Sequence, residues 1–367
     1  MLEPVPRPPH WQVDWEALDR AWPFLWPMKE CPQASEYHGE GNVWIHTRMV
    51  CEQLASLARW RELPETEREL VWAAALLHDV AKPACTRPGP DGRLTSAGHA
   101  RKGAVMARAL LWRLGVAFER RELVCALIRH HMVPFWILDR DDSLRLLLEV
   151  SLTARCDLLS VLAEADARGR IAADQQELIE DTWLFAEFAR EHGCLSQPYP
   201  FPSEHTRYVY FRSPQRSPGM EAFEDTRSRV TVLSGLPGAG KDTYARRLSL
   251  PQVSLDAIRA ELGVKPTDDQ GPVAERARER AREFLRRGEP FVWNATNLSR
   301  EQRERCLGLL ADYRARVELV YCEAEHDELM RRNAEREPPF PGAVLERLLE
   351  RWEVPDLSEA HRLELAF

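Results

Sequence analysis

The stretch RVTVLSGLPGAGKDTYARR, residues 229–247, restricts the fold more than any other part of this chain. A short apolar run leads into Gly235-Leu-Pro-Gly238-Ala239-Gly240-Lys241, which fits GxxxxGK, and a helical pattern follows. In that strand–loop–helix setting the backbone N–H groups at the helix start cradle phosphates and the lysine reaches the terminal ones. The sequence downstream agrees: QVSL, PFVWNAT and RVELVYCEA are short apolar runs, separated by helical patterns near 256–262, 271–287 and from 300, with two closing helices. Strands alternating with helices imply a parallel sheet with crossover helices, hence an α/β domain over 229–367. One letter departs from the usual loop. Asp242 stands where Ser or Thr normally binds Mg²⁺, so that role passes to Thr243, to the Asp242 carboxylate, or to a water between them.

Upstream the pattern is different. From about 42 to 192 apolar residues recur at i, i+3, i+4 spacing, as in VWIHTRMVCEQLASLARW, ERELVWAAALLHDVAK and SLRLLLEVSLTARCDLLSVLAEADARGR, and strand alternation is lacking. This predicts an all-α domain over 1–192. Residues 193–228 are rich in Pro, Ser and aromatics and read as a connection, in which YVYF suggests a short strand. A length of 367 residues suits two domains. No apolar run approaches the roughly 18 to 20 residues a membrane span needs, and the start MLEPVPRPPHWQVDW lacks the basic end and apolar stretch of a signal peptide. The expectation is a cytoplasmic protein with no membrane partner. The 8 cysteines are spread singly, which suggests neither a disulfide framework nor a structural zinc site. A net charge of −8 argues against coating nucleic acid indiscriminately, yet leaves room for a local basic groove.

Six of the 11 histidines (38, 46, 78, 99, 130 and 131) fall in one stretch of the helical region. Such poor helix formers, gathered there, point to a shared site. The pair His78-Asp79 ends the apolar helix LVWAAALL, and an adjacent imidazole and carboxylate can grip one cation, with His46 from an earlier helix and an Asp from a later one. A divalent ion so held lowers the pKa of water enough to make a nucleophile near neutral pH. Lysine is rare, five of 50 basic residues, and two of the five, Lys82 and Lys241, lie inside the two motifs, as suits positions needing a compact ammonium.

The segments YHGEGNVWIHTRMV, LLHDVAKP, SAGHARKGA, LIRHH and ADARGR follow the order and approximate spacing of the HD phosphohydrolase superfamily, and this region resembles the HD domain appended to bacterial tRNA nucleotidyltransferases. The resemblance implies metal-dependent phosphoester hydrolysis. His46, His78, Asp79 and a final Asp would be metal ligands, while Lys82, His99 and His130 would contact phosphate or a second metal. The final Asp is Asp166 or Asp157; ADARG favours Asp166. His131 is next to His130 and points about 100° away on a helix, so one of the two faces inward. His38 and Glu40 either shape the rim or touch substrate.

In the α/β region, Asp256 and Arg259 of SLDAIR sit one helical turn apart, a carboxylate to take a proton from an attacking hydroxyl and a guanidinium to hold phosphate. Asn297 ends the NATN run where a γ-phosphate sensor could sit, and Arg332 and Arg336, at i, i+4 near a Pro-rich break, could fold over the transferring phosphoryl group. GxPGxGK, DxxR, NATN and RxxxR together resemble the polynucleotide 5'-hydroxyl kinases; an adenylate kinase would carry a DGFPR-type segment instead of NATN. An HD phosphoesterase followed by such a kinase is similar to the bacterial HD-Pnk family of end-healing enzymes. That resemblance implies a 2',3'-phosphoesterase using Mn²⁺, Ni²⁺ or Co²⁺, and transfer of the γ-phosphate of ATP or another NTP, with Mg²⁺, to 5'-OH ends of RNA or DNA, upstream of a nucleic-acid ligase. Two other readings are an HD nucleotidase fused to a nucleoside or nucleotide kinase, and a non-catalytic sensor in which Asp242 has spoiled metal binding.

Overall fold

The computed structural model describes residues 2–265, 267–337 and 339–367, and divides into two compact units, Met1–Pro200 and Phe201–Phe367.

The first unit is helical. Helix α1 (Val43–Ser56) begins where the Asn42 side chain accepts from Ile45 N and satisfies one orphan donor. Helix α2 (Glu65–Leu77) opens with Glu65 and Glu67, complementing the positive end of its dipole, and buries every residue from Leu70 to Leu77. A helix apolar all round must be central. It packs against α1, α4 (Phe118–His130) and α5 (Cys156–Arg168), while α3 (His99–Arg113) covers α4 and α6 (Gln175–Glu191) covers α5. The turns at the ends of these helices hold the polar residues identified above. Gly169, just past the α5 end, lies tight against α1: a Cβ there would meet Val50 N at 2.7 Å and Val50 Cα at 2.9 Å. Backbone atoms cannot yield as a flexible side chain would, so Gly169→Ala is expected to push the α5 end off α1, destabilising the unit by about 1–3 kcal/mol. Thermal unfolding and metal content of the variant check this; an unchanged Tm would refute it.

The second unit is a parallel α/β sheet. Strands β1 (Ser228–Ser234), β2 (Gln252–Ser254), β3 (Phe291–Asn294), β4 (Ala315–Cys322) and β5 (Arg362–Ala366) pair in the order β2-β3-β1-β4-β5, all parallel. Buried on both faces, β1 and β3 read as continuous apolar runs. β1 leads through the glycine loop into α8 (Lys241–Arg247), β2 runs directly into α9 (Leu255–Leu262), and α10 (Gly271–Arg287), α11 (Arg300–Asp312), α12 (His326–Ala334) and α13 (Gly342–Leu349) follow.

Two local expectations change. YVYF does not form a strand but lies in helix α7 (Glu204–Arg212), whose start is capped by Ser203 accepting from Thr206 N. Tyr208 stacks on His361 at 4.0 Å and joins the core of the second unit, so packing overrides the β preference of the aromatics. Strand β5 was not anticipated; its five residues RLELA pair only along one edge, against Glu318–Cys322. No helix among the described residues is long and apolar enough to cross a membrane.

Candidate functional site

In the first unit, four imidazoles meet at Asp79. His46 comes from the first turns of α1, His78 and Asp79 from the turn that ends α2, His99 from the first residue of α3 after Gly98 at φ 80°, and His131 from the residue after α4. Each Nδ1 faces an acceptor. His78 donates to Ala75 O at 2.7 Å, His99 to Ser96 O at 2.9 Å, His131 to Ile128 O at 2.7 Å, and His46 to Glu40 Oε1 at 2.9 Å with Gly169 O at 3.2 Å. A carbonyl or carboxylate oxygen only accepts, so each Nδ1 carries the proton and each Nε2 offers a lone pair. Those Nε2 atoms converge: His46 and His78 lie 3.4 Å apart, His99 and His131 3.3 Å.

Asp79 stands between the two pairs. Its Oδ2 is 3.2 Å from His78 Nε2 and 3.8 Å from His46 Nε2, and its Oδ1 is 3.4 Å from His99 Nε2 and 4.0 Å from His131 Nε2. Asp166, in the last turn of α5, brings Oδ1 to 3.1 Å from His46 Nε2. All but the half-buried His99 are buried, and neither Asp79 oxygen has a well-formed hydrogen bond, although Lys82 Nζ is 2.7 Å from Oδ2. Lone pairs of nitrogen and oxygen packed this closely repel one another unless a cation lies between them. The donor set therefore fits a divalent ion at His46, His78, Asp79 and Asp166, and a second at Asp79, His99 and His131.

Electrostatics keep His99, His131 and the two carboxylates in ligand form. Burial, reinforced by the neighbouring His78 and His99, pushes His131 down to about 3, and burial lowers His99 as well, so both are neutral at pH 7. Burial also works to lower His46, but Asp166 and Glu40 reverse the balance and raise it. Burial disfavours charge on Asp79 and Asp166 too, yet Lys82 and His78 hold the first, and Arg170 and His46 the second, well below the ordinary carboxylate range. Glu40 accepts from His38 Nδ1 at 2.8 Å, from His46, and from Ile171 N at 2.9 Å, and so fixes the ring of His46 from behind.

One placement is a correction. His131, not His130, faces the cluster: α4 ends at His130, whose partly exposed ring lies with Nε2 3.4 Å from Thr153 Oγ1, and the next residue, about 100° round, turns inward. Of the two candidate closing aspartates, Asp166 enters the cluster; Asp157 pairs with Arg155. Sequence reasoning missed Arg170, which grips both oxygens of Asp166 at 3.0 and 2.8 Å, and Gln33, whose Oε1 accepts from Lys82 Nζ at 2.7 Å. The DxxxR spacing of Asp166 and Arg170 was a signal for the first; nothing local marks the second.

In the second unit the groups gather at the carboxyl ends of the strands, the expected position in a parallel sheet. Gly235, Gly238 and Gly240 have φ of 147°, 84° and 98°, and a Cβ on Gly235 would come within 2.2 Å of Cys322 O. Lys241 Nζ donates back to Gly235 O at 2.9 Å and Leu236 O at 2.8 Å. Burial lowers its pKa against the pull of Cys322, Asp242 and Asp256, while Arg336 pushes the same way as burial. Ala239 N closes the loop on Leu236 O at 3.1 Å. The Asp242 Oδ1 accepts from Asn294 Nδ2 at 2.7 Å, whereas Thr243 Oγ1 accepts from Arg246 at 3.3 Å. Asp256, exposed at the start of α9, pairs with Arg259, which also donates to Gln270 at 2.9 Å. Arg332 donates to the loop carbonyl of Gly238 at 3.1 Å.

Two expectations here are corrected. Asn297 commits its carboxamide N–H to Leu233 O at 2.8 Å, in a left-handed turn at φ 46°; Asn294 is the asparagine that reaches the loop helix. Arg336 does not share a helix face with Arg332, because α12 stops at Ala334 and Arg336 N bonds Asn333 O at 3.3 Å in the following turn. Within the Pro-rich break after it, Pro338 lies outside the described residues.

The comparisons with known proteins agree with this two-part layout. A family model for the HD domain matches residues 43–168, and one for an AAA domain matches residues 230–355. The CC-adding tRNA nucleotidyltransferase of Thermus thermophilus is 38% identical over 158 residues, 43% of this chain and 33% of its own length. A multifunctional CCA protein of Stenotrophomonas maltophilia is 31% identical over 173 residues, 45% of this chain and 39% of that one. The chain thus spans less than half the length of these relatives, which match its HD region. Among solved structures, a candidate kinase from Chloroflexus aurantiacus covers 39% of this chain and 86% of its own at 20% identity, with a TM-score of 0.34. The chain carries an HD domain followed by an AAA-type P-loop domain.

Proposed function

We propose that the protein heals nucleic-acid ends, the HD unit removing phosphate as a metal-dependent 2',3'-phosphoesterase and the P-loop unit phosphorylating 5'-OH ends. The observation that carries the reading is the pairing, in one chain, of a lone-pair cage around Asp79 with a phosphate loop whose lysine feels both Asp256 and Arg336. Ends left with a 5'-OH and a 2',3'-cyclic phosphate need both reactions before a ligase can join them, and one HD relative, the CC-adding tRNA nucleotidyltransferase, by its name acts on tRNA.

In the HD unit, His46, His78, Asp79 and Asp166 would hold one divalent ion, and Asp79, His99 and His131 a second; Mn²⁺, Ni²⁺ or Co²⁺ there would supply Lewis acidity. Lys82 balances the Asp79 charge and faces incoming phosphate with its ammonium. Glu40 and the three backbone carbonyls keep every imidazole in the Nδ1–H tautomer, so the ligand lone pairs need no reorganisation.

In the kinase unit the loop N–H groups and Lys241 hold the phosphates of ATP. Asp242, held by Asn294, or Thr243 beside it would take the Mg²⁺ role of the missing hydroxyl. Asp256 accepts the proton of the acceptor 5'-OH, Arg259 grips the phosphate of the end nucleotide, and Arg332 and Arg336 balance charge on the transferring group.

The test uses ATP labelled at the γ-phosphate with a 5'-OH oligonucleotide, and nucleoside 2',3'-cyclic phosphates with Mn²⁺, Ni²⁺ or Co²⁺. Label on the oligonucleotide and ring opening to the phosphate are expected. Label on free nucleosides in preference to oligonucleotides would replace the polynucleotide reading with a nucleoside kinase.

A further inference from the structure

Asp79 and the imidazoles of the HD cluster present acceptor lone pairs, which suit cations, yet a phosphoester brings acceptor oxygens of its own that need donors. Gln33 is placed to supply them. It sits in a loop from Cys31 to Asn42 that is closed at its base: Pro32 bridges Asn42, Val43 N bonds Cys31 O at 3.0 Å, and Asn42 Nδ2 bonds Lys29 O at 2.9 Å. The Cys31 thiol also bonds Thr86 Oγ1 at 3.5 Å, which pins the loop beside the segment that follows His78-Asp79. The loop touches the cluster twice. Glu40 holds His46 at one end, and Gln33 holds Lys82 at the other.

The bond from Lys82 settles which end of the Gln33 carboxamide is which. An ammonium only donates, so the atom 2.7 Å from Nζ is the oxygen, and the other is the NH₂ group. That Nε2 is buried and has no hydrogen-bond partner. Two N–H bonds without acceptors lie one carboxamide away from a lysine that is itself 2.7 Å from Asp79, and buried donors of this kind suit an acceptor oxygen.

We propose that Gln33 binds substrate in the HD unit, its Nε2 donating to a non-bridging oxygen of the phosphoryl group. This rests on the phosphoesterase reading for the identity of the substrate, but the contact itself is with phosphate and can be measured without turnover.

The probe is inorganic phosphate, read by the broadening of its ³¹P resonance beside protein-bound Mn²⁺, in full-length chain carrying Lys241→Ala to weaken binding at the phosphate loop. Gln33→Met, Lys82→Met and the double variant complete a cycle. Gln33→Met is expected to weaken phosphate binding about tenfold, the size of one lost charge-assisted bond, by a similar factor whether or not Lys82 is present, with Mn²⁺ content unchanged. In turnover, KM for a nucleoside 2',3'-cyclic phosphate rises while kcat holds, since the contact exists before and during the reaction. The proposal is overturned if Gln33→Met has no effect in the Lys82→Met chain, which would leave Gln33 as a prop for Lys82, or if phosphate never approaches the Mn²⁺ of the parent. Gln33-dependent phosphate binding without hydrolysis of any cyclic phosphate would sink the phosphoesterase reading and leave this contact standing.

Discussion

Alanine at both His78 and Asp79 is expected to lower phosphoester hydrolysis by on the order of a thousandfold or more, because metal-ion catalysis supplies several kcal/mol and each 1.4 kcal/mol is tenfold. The magnitude follows from where Asp79 stands. It is the one group common to the four-ligand set and the three-ligand set, so its loss weakens both positions at once, and loss of His78 removes a second donor from the first. The variant should purify with little Mn²⁺, Ni²⁺ or Co²⁺. ATP-dependent labelling of 5'-OH ends should stay close to the parent's, since Lys241, Asp256 and their sheet belong to the other compact unit. The substitutions also leave Lys82 without its carboxylate partner, a cost to folding that circular dichroism and thermal unfolding measure directly. Loss of kinase activity alongside hydrolysis, in a chain that still unfolds cooperatively, would show that the two activities share a site and would end the two-domain account.

Much of this arrangement could be read from residue order. A glycine loop between an apolar run and a helix is a local device, and the structure puts positive φ at Gly235, Gly238 and Gly240 where the motif needs it. The parallel sheet followed from apolar runs buried on both faces, and the HD helices from their 3.6-residue period. What escaped was rotational phase and contact at a distance. Whether His130 or His131 turns inward depends on the last turn of α4, where His131 Nδ1 finds Ile128 O. Whether Arg336 stacks over Arg332 depends on α12 ending at Ala334, and no glycine marks that stop. Asn294 and Asn297 are three letters apart, and only a left-handed turn at the second decides which reaches Asp242. Gln33 meets Lys82 across 49 residues of sequence through a loop closed by backbone bonds that any residues could make, together with the Asn42 side chain.

The second large effect concerns Asp256. Replacement by alanine is expected to slow phosphoryl transfer to 5'-OH ends by about 10²–10⁴-fold, the usual worth of a positioned general base. ATP binding should survive, because the loop N–H groups, Lys241 and the Asn294–Asp242 bond are untouched. Hydrolysis in the HD unit should be unaffected as well. The exposed position of Asp256 at the start of α9 makes a folding defect small, since its carboxylate is solvated and its partner Arg259 keeps the bond to Gln270. Asp256→Asn sharpens the test: it keeps the shape and a hydrogen bond but cannot take a proton, so it should fail nearly as badly as alanine, whereas Asp256→Glu should retain a measurable rate. If Asp256→Asn transfers phosphate at the parent's rate while Arg259→Ala raises the KM for the oligonucleotide, the pair serves acceptor binding alone, and the proton must leave by another group near Lys241.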